Sequence, residues 1–294
     1  MLIWGSSWPA IHFQLGDVAP EVSIAYRFIL ASGLLVIWCR LRRISLRIAL
    51  RHHPFLALLG LSLFSLNYLL FYYAAFDLAT GLLAVIFSTM TVMNIFNSAI
   101  FLRRQIQKKT VLAVVFGLTG MALVFWPEIT TSGPRVAAAI GISLIATYLA
   151  SIGNLVSARN QNHGLPVAST NTIGMAYGAL FMLAYSAGSG TPFVIDTSTT
   201  YIGSLLFLAL FASAIAFGCY LTLVGRIGPA NAAYATVLFP IVALALSTWF
   251  EDYEWQNRAL VGVGLILIGN AIVLSRPGLI SRLKALSPRG QNND

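Results

Sequence analysis

Apolar residues run along this chain in long blocks broken by short polar turns, and the blocks have the length of membrane-crossing helices. A span needs about 20 apolar residues. Ten candidates fit, at about residues 1–15, 21–39, 54–76, 79–101, 110–126, 136–157, 167–187, 200–224, 229–250 and 258–275. Pro20, Pro54, Pro134, Pro166 and Pro229 stand at or before the starts of spans, where a missing N–H costs nothing. The loops leave no room for a soluble domain, so the chemistry is expected inside the bilayer. The first span is short: fifteen helical residues rise roughly 22 Å, against a hydrocarbon core of about 30 Å. That deficit, with no basic flank ahead of it, predicts that helix 1 continues upstream of Met1. The polar WGSSWP run and the missing cationic segment argue against a signal peptide.

Composition agrees with the spans. The chain is 58% hydrophobic and 9% charged, whereas soluble domains are about 45–50% apolar and about 25% charged. Charge then orients the spans. Of the 18 Lys and Arg, all but Arg27, Arg135 and Arg258 fall in alternate loops or the C-terminal tail, and the acids other than Asp294 fall in the loops between. Under the positive-inside rule the basic side is cytoplasmic and both termini lie inside. The localisation expected is a multi-pass protein of the inner (cytoplasmic) membrane. The net charge of +9 fits short loops beside an anionic leaflet, and nucleic acid is not expected as a partner. Cys39 and Cys219 form no disulfide or metal framework. CxxC, HExxH and Walker patterns are absent from the sequence, and no cofactor is expected.

The chain also repeats itself. At a constant offset, Asp77 aligns with Arg226, Thr91 with Pro240 and Gly120 with Gly269, as a short loop entering a span of small and β-branched residues. Each half therefore holds five spans, and an odd number inverts the second copy. The fold class expected is an all-α integral membrane protein of ten transmembrane helices, built from two inverted five-helix repeats. Inverted repeats are the usual architecture of secondary transporters, with the substrate at the repeat interface near the midplane.

The opening LIWGSSWPAIHF, the following VAPEVSIAYRFILASGLLVI, and the closing stretch from Ala230 to Leu274 with its Pro240, Glu251, Gly262 and Gly269 resemble the EamA-type repeats of the drug/metabolite transporter superfamily. The resemblance covers about residues 1–275. It implies a ten-helix bundle that moves small metabolites, often amino acids, often outward. In those terms residues 1–127 form the first repeat, 135–275 the second, and 276–294 a basic cytoplasmic tail. The first half departs from the pattern, with Thr91 in the place of Pro240 and Leu102-Arg103 in the region of Glu251.

Polar side chains within a bilayer are costly and tend to face the bundle interior. Ser65, Asn67, Tyr68 and Tyr72 lie in the third span; Ser88, Thr91 and Asn94 recur at helical spacing in the fourth. Thr147, Tyr148, Ser151 and Asn154 lie in the sixth, with Asn231 and Tyr234 in the ninth. Two readings stand for each group, a hydrogen bond that joins helices or a place in a shared polar cavity. The recurrence in both halves favours the cavity for the set. Trp4 and Trp8, beside Ser7 and Pro9, are either interfacial or stacking surfaces for a substrate. Arg27 is either a snorkelling residue or a fixed cation that attracts a carboxylate. Pro9 and Pro240 kink spans or free carbonyls.

The substrate cavity expected is thus lined by Trp4, Ser7, Trp8, Arg27, Asn67, Tyr68, Tyr72, Ser88, Thr91, Tyr148, Asn154, Tyr234 and Pro240. No span core carries an Asp or Glu, and His12 is the one histidine placed as a membrane proton switch. An intramembrane enzyme would need a nucleophile and base, paired carboxylates or metal ligands, so no catalytic residue is named. The expected function is a secondary transporter, an exporter or facilitator of small metabolites by alternating access, acting as monomer or homodimer among membrane lipids. A lipid or lipid-carrier flippase is the alternative.

Overall fold

The computed structural model describes residues 2–102, 108–232, 239–250 and 257–274. Among them the chain is helical, without a strand. The helices are α1 (Leu2–His12), α2 (Pro20–Leu41), α3 (residues 53–74), α4 (residues 80–102) and α5 (Lys108–Ser132). They continue with α6 (Pro134–Asn162), α7 (Val167–Ser189), α8 (Thr199–Ile227), α9 (Phe239–Phe250) and α10 (Asn257–Leu274). Among the described residues six helices are long and apolar enough to cross a membrane, and Val114–Phe125 and Asn257–Ile272 are shorter apolar helical stretches.

The prolines begin helices as their missing N–H allows. Pro20, Pro54 and Pro134 occupy the first turns of α2, α3 and α6, and Pro166 precedes α7. Gly190, in the left-handed region at φ 71°, ends α7. The main departure from the expected pattern is α5, which runs to Ser132 where a span ending near residue 126 is expected. Pro9 is buried within α1 and does not interrupt it.

Three irregularities were not legible as spans. Helix α3 passes through a π-helical segment at Ser62–Leu66, and α8 through another at Leu208–Ile215. A π-turn inserts a residue, rotates the following face and leaves carbonyls without their usual i+4 partner; such segments are frequent at functional sites. Helix α4 breaks at Thr89, where Ser88 Oγ donates to the Val85 carbonyl at 2.6 Å and Thr89 Oγ1 to that of Ile86 at 2.6 Å. Hydroxyls that bond back along a helix bend it.

The closest packing joins helices of the first half to helices of the second. Helix α2 packs on α7 and α8, α3 on α6 and α7, α4 on α6 and α9, α1 on α9 and α8, and α5 on α10. Glycines allow the approach. A Cβ at Gly60 would meet the Gly174 carbonyl oxygen at 2.5 Å, and one at Gly120 the Gly262 carbonyl oxygen at 2.5 Å. The GxxxG pair Gly174 and Gly178 therefore packs against α3 of the same chain.

Candidate functional site

At the seam between the halves, α1, α3, α4 and α8 enclose a small cavity of about 40 Å³ lined by Trp8, Ile11, Leu63, Asn67, Tyr68, Phe71, Phe87 and Phe217. Trp8 is 7% exposed and packs edge-on against Phe71 and Phe87, with ring centroids 5.1 and 5.7 Å away. Asn67 begins the α-helical turn that follows the α3 π-segment, and its amide donates to the Ala146 carbonyl of α6 at 2.9 Å. The cavity holds a few waters at most, so a metabolite enters only if the walls part.

Arg27 closes one side. It is 1% exposed, its Nε donates to Ser213 Oγ at 2.9 Å, and its Nη2 donates to the Tyr68 hydroxyl at 3.3 Å. Its Cζ stands 4.4 Å from the Tyr68 ring centroid. The side chain thus turns into the bundle and does not snorkel. Its Nη1 has no hydrogen-bond partner, and neither does the Tyr72 hydroxyl beside the guanidinium. Among the described residues no carboxylate pairs with Arg27. A buried, unpaired cation carries an effective cost of several kcal/mol, partly offset by the ring beneath it.

A second polar cluster lies where α4, α6 and α8 meet. Asn154 Nδ2 donates to the Tyr220 hydroxyl at 3.3 Å, and Asn97 Nδ2 to Ser151 Oγ at 2.8 Å. Thr91 Oγ1, Asn94 Oδ1, Ser98 Oγ and Asn154 Oδ1 are buried without partners. Arg27 Nη1 is thus an unmet donor in one cluster, the amide oxygens of Asn94 and Asn154 are unmet acceptors in the other, and the Tyr72, Thr91 and Ser98 hydroxyls can serve either way.

The remaining expected residues separate. Ser7 and Ser88 spend their hydroxyls on the Trp4 and Val85 carbonyls at 2.8 and 2.6 Å. Trp4 borders a different feature, an open apolar cleft of about 280 Å³ between α1 and α8, with Ile3, Ile215, Ala216, Cys219, Tyr220 and Leu223. Its indole N–H is taken by the Ala212 carbonyl at 3.0 Å, within the α8 π-segment. Tyr148 is 45% exposed and lines neither the cavity nor the cleft described above. Its neighbour Thr147 is buried, and one helical step of about 100° turns Tyr148 outward. His12 is exposed at the end of α1. Tyr234 lies outside the described residues, and so do the side chains of Pro240 and Asn231.

The sequence model of the EamA-like transporter family matches residues 1–126 and 137–275. The chain belongs to the EamA-like transporter family. Similar proteins include Protein PagO of Salmonella typhimurium, 22% identical over 273 residues that cover 93% of this chain and 90% of PagO. A probable amino-acid metabolite efflux pump of Escherichia coli is 22% identical over 280 residues, covering 92% and 90%. The uncharacterized transporter YvbV of Bacillus subtilis is 26% identical, covering 93% and 88%. A solved structure described as "Crystal structure of protein" superposes with a TM-score of 0.72 at 14% identity, covering 92% of this chain and 93% of that one; it shares the fold. Family and relatives are transporters, not enzymes, and this EamA-like transporter is a multi-pass membrane protein.

Several residues of the two clusters carry no mark in the sequence pattern. Ser213, Phe217 and Tyr220 reach the two clusters from α8. Their spacing of four and three residues is helical, but the π-segment before Phe217 shifts the face that they share with the rest of the span. Apart from both clusters, Glu21 is 5% exposed in the first turn of α2 and accepts hydrogen bonds from the hydroxyls of Thr191 at 2.8 Å and Tyr73 at 3.2 Å.

Proposed function

We propose that this transporter carries small metabolites such as amino acids out of the cytoplasm by alternating access, through a central chamber between two five-helix repeats. The observation that carries the reading is the aromatic-polar cavity of Trp8, Asn67 and Tyr68, with the unpaired Arg27 guanidinium beside it. A carboxylate fits the free donors of Arg27 and Tyr72, and an ammonium fits the open acceptors of Thr91, Asn94 and Asn154. The 40 Å³ cavity is the closed form of this site. The basic loops set its cytoplasmic end, and the inner membrane of a bacterium is its place.

The packing supports the repeats. Exchanging each helix with the one five places later turns α2–α8 into α7–α3 and α1–α9 into α6–α4; α2–α7, α4–α9 and α5–α10 return to themselves. The offset read from the sequence also carries the π-segment of α3 onto part of that in α8. Such pairing is what a pseudo-two-fold axis in the membrane plane requires. The apolar cleft beside Trp4 favours the second reading, a lipid flippase.

Proteoliposomes loaded with a mixed metabolite panel test the reading. The expected result is protein-dependent efflux of compounds that bear a carboxylate, reduced in Trp8→Ala although that variant still inserts. Labelled-lipid scrambling without metabolite efflux would instead establish the flippase. Wild-type flux in Trp8→Ala would remove the chamber from the path.

A further inference from the structure

Away from the chamber, at the end of the bundle that carries the basic loops, an open pocket of about 420 Å³ is lined by Arg51, His52, Arg159 and His163. Arg51 and His52 belong to the turn Leu50–His52 ahead of α3, Arg159 lies in the last turn of α6, and His163 caps it. The pocket therefore straddles the seam between the two halves. Among the described residues no carboxylate lines it, and none pairs with either arginine.

The groups are already arranged. Arg159 lies over Phe55, with Cζ 3.2 Å from the ring centroid, and its Nη1 donates to Asn160 Oδ1 at 3.2 Å. Arg51 Nε donates to His52 Nε2 at 3.3 Å, so a neutral His52 keeps its proton on Nδ1. That Nδ1–H is buried and has no acceptor, on a side chain only 7% exposed. Asn160 Nδ2 is a second buried donor without an acceptor. His163 donates from Nδ1 to the Arg159 carbonyl at 2.9 Å. The His52 and His163 ring centroids are 5.9 Å apart. Unmet donors and cations thus meet in a space larger than one ion.

We propose that this pocket binds a phosphate group, carried by an anionic lipid headgroup or by a soluble phosphate. Guanidinium forks match phosphate oxygens in pairs, and basic pockets between membrane helices on the cytoplasmic side are places where anionic headgroups bind. Burial, and then the charges of Arg51, Arg159 and His163, hold His52 below the ordinary imidazole value. A bound anion opposes those charges and favours the protonated ring. Protonation at Nε2 frees the Arg51 Nε–H for the anion, so proton uptake accompanies binding of a phosphodiester headgroup, whose own charge is fixed, and affinity for it falls as pH rises through the His52 range. His53, the next titratable group, stays occupied by the Tyr177 hydroxyl at 2.8 Å and the Ile48 carbonyl at 3.3 Å.

The test uses the full chain in phosphatidylcholine nanodiscs and follows the unfolding temperature at constant ionic strength. One arm titrates inorganic phosphate; the other raises the fraction of phosphatidylglycerol in the disc. At pH 6 the wild type and Arg47→Gln, a change in the exposed basic loop, are expected to be stabilised. Arg51→Gln and Arg159→Gln are expected to need about tenfold more ligand, and the wild-type response to phosphatidylglycerol, whose phosphodiester charge does not change with pH here, is expected to shrink at pH 8. A response only to phosphatidylglycerol names the headgroup as the source, and a response only to phosphate names the soluble ion. A response to both means that the site takes either. No response in either arm, or equal response in wild type and both pocket variants, would overturn the proposal.

Discussion

Arg27→Met separates a substrate-binding cation from a structural one. The change removes the guanidinium and keeps most of the side chain's length. On the stability side it forfeits the Ser213 bond, worth about 1.5–3 kcal/mol for a charged donor. It also forfeits the contact with the Tyr68 ring, worth up to about 2 kcal/mol when desolvated. Against these stands the removal of a buried charge without a counter-ion, whose effective burial cost is several kcal/mol. The terms oppose each other, and the expected net change in stability is within about 2 kcal/mol of zero. Transport has no such cancellation. A carboxylate held by Nη1 loses a charge-assisted bond worth about 1.5–3 kcal/mol, roughly 10- to 150-fold in affinity.

The assay pairs two measurements on one preparation. Thermal unfolding in detergent reports stability, and counterflow in proteoliposomes reports KM for a transported acid and for its decarboxylated analogue. The expected outcome is near-wild-type unfolding with a KM raised for the acid alone. If flux falls only in step with the folded protein lost, or KM rises equally for both compounds, Arg27 is a packing residue and the reasoning fails.

Other outcomes follow from the same geometry. Trp8→Ala should lower the unfolding free energy by about 3–5 kcal/mol as the Phe71 and Phe87 rings lose their partner, and should cut flux beyond that loss; normal flux per folded molecule would refute it. Gly60→Ala should destabilise by about 1–3 kcal/mol, because its methyl would meet the Gly174 backbone at 2.5 Å; an unchanged unfolding temperature would show that α3 and α7 yield freely. Tyr148→Ala should leave transport unaltered, since Tyr148 faces outward; a transport defect at normal stability would return it to the site.

Helix positions were readable because span length and proline placement depend only on local chemistry. Apolar blocks of about 20 residues and prolines at helix starts locate the elements before any tertiary contact is known. The close glycine contacts were half-legible. Gly174 and Gly178 advertise a small surface, but not that α3 is what fills it. The chamber was read through single side chains, and there the inference divided by direction. Trp8, Asn67 and Tyr68 converge, whereas Tyr148, one residue from an inward-facing position, points out.

What the pattern could not carry is the geometry of α3 and α8. Periodicity arguments assume 3.6 residues per turn, and each π-segment breaks that count in the middle of a span. The consequence falls on the site. Ser213, inside one segment, holds Arg27; Ala212, beside it, offers its carbonyl to Trp4; Asn67 and Phe217 follow the two segments into the chamber wall. A regular α-helix through Leu208–Ile215 would rotate Phe217 away from Ser213's partners and close the Ala212 carbonyl within its own helix. The irregular turns therefore bring the cation, the indole and the aromatic wall to one seam of the bundle.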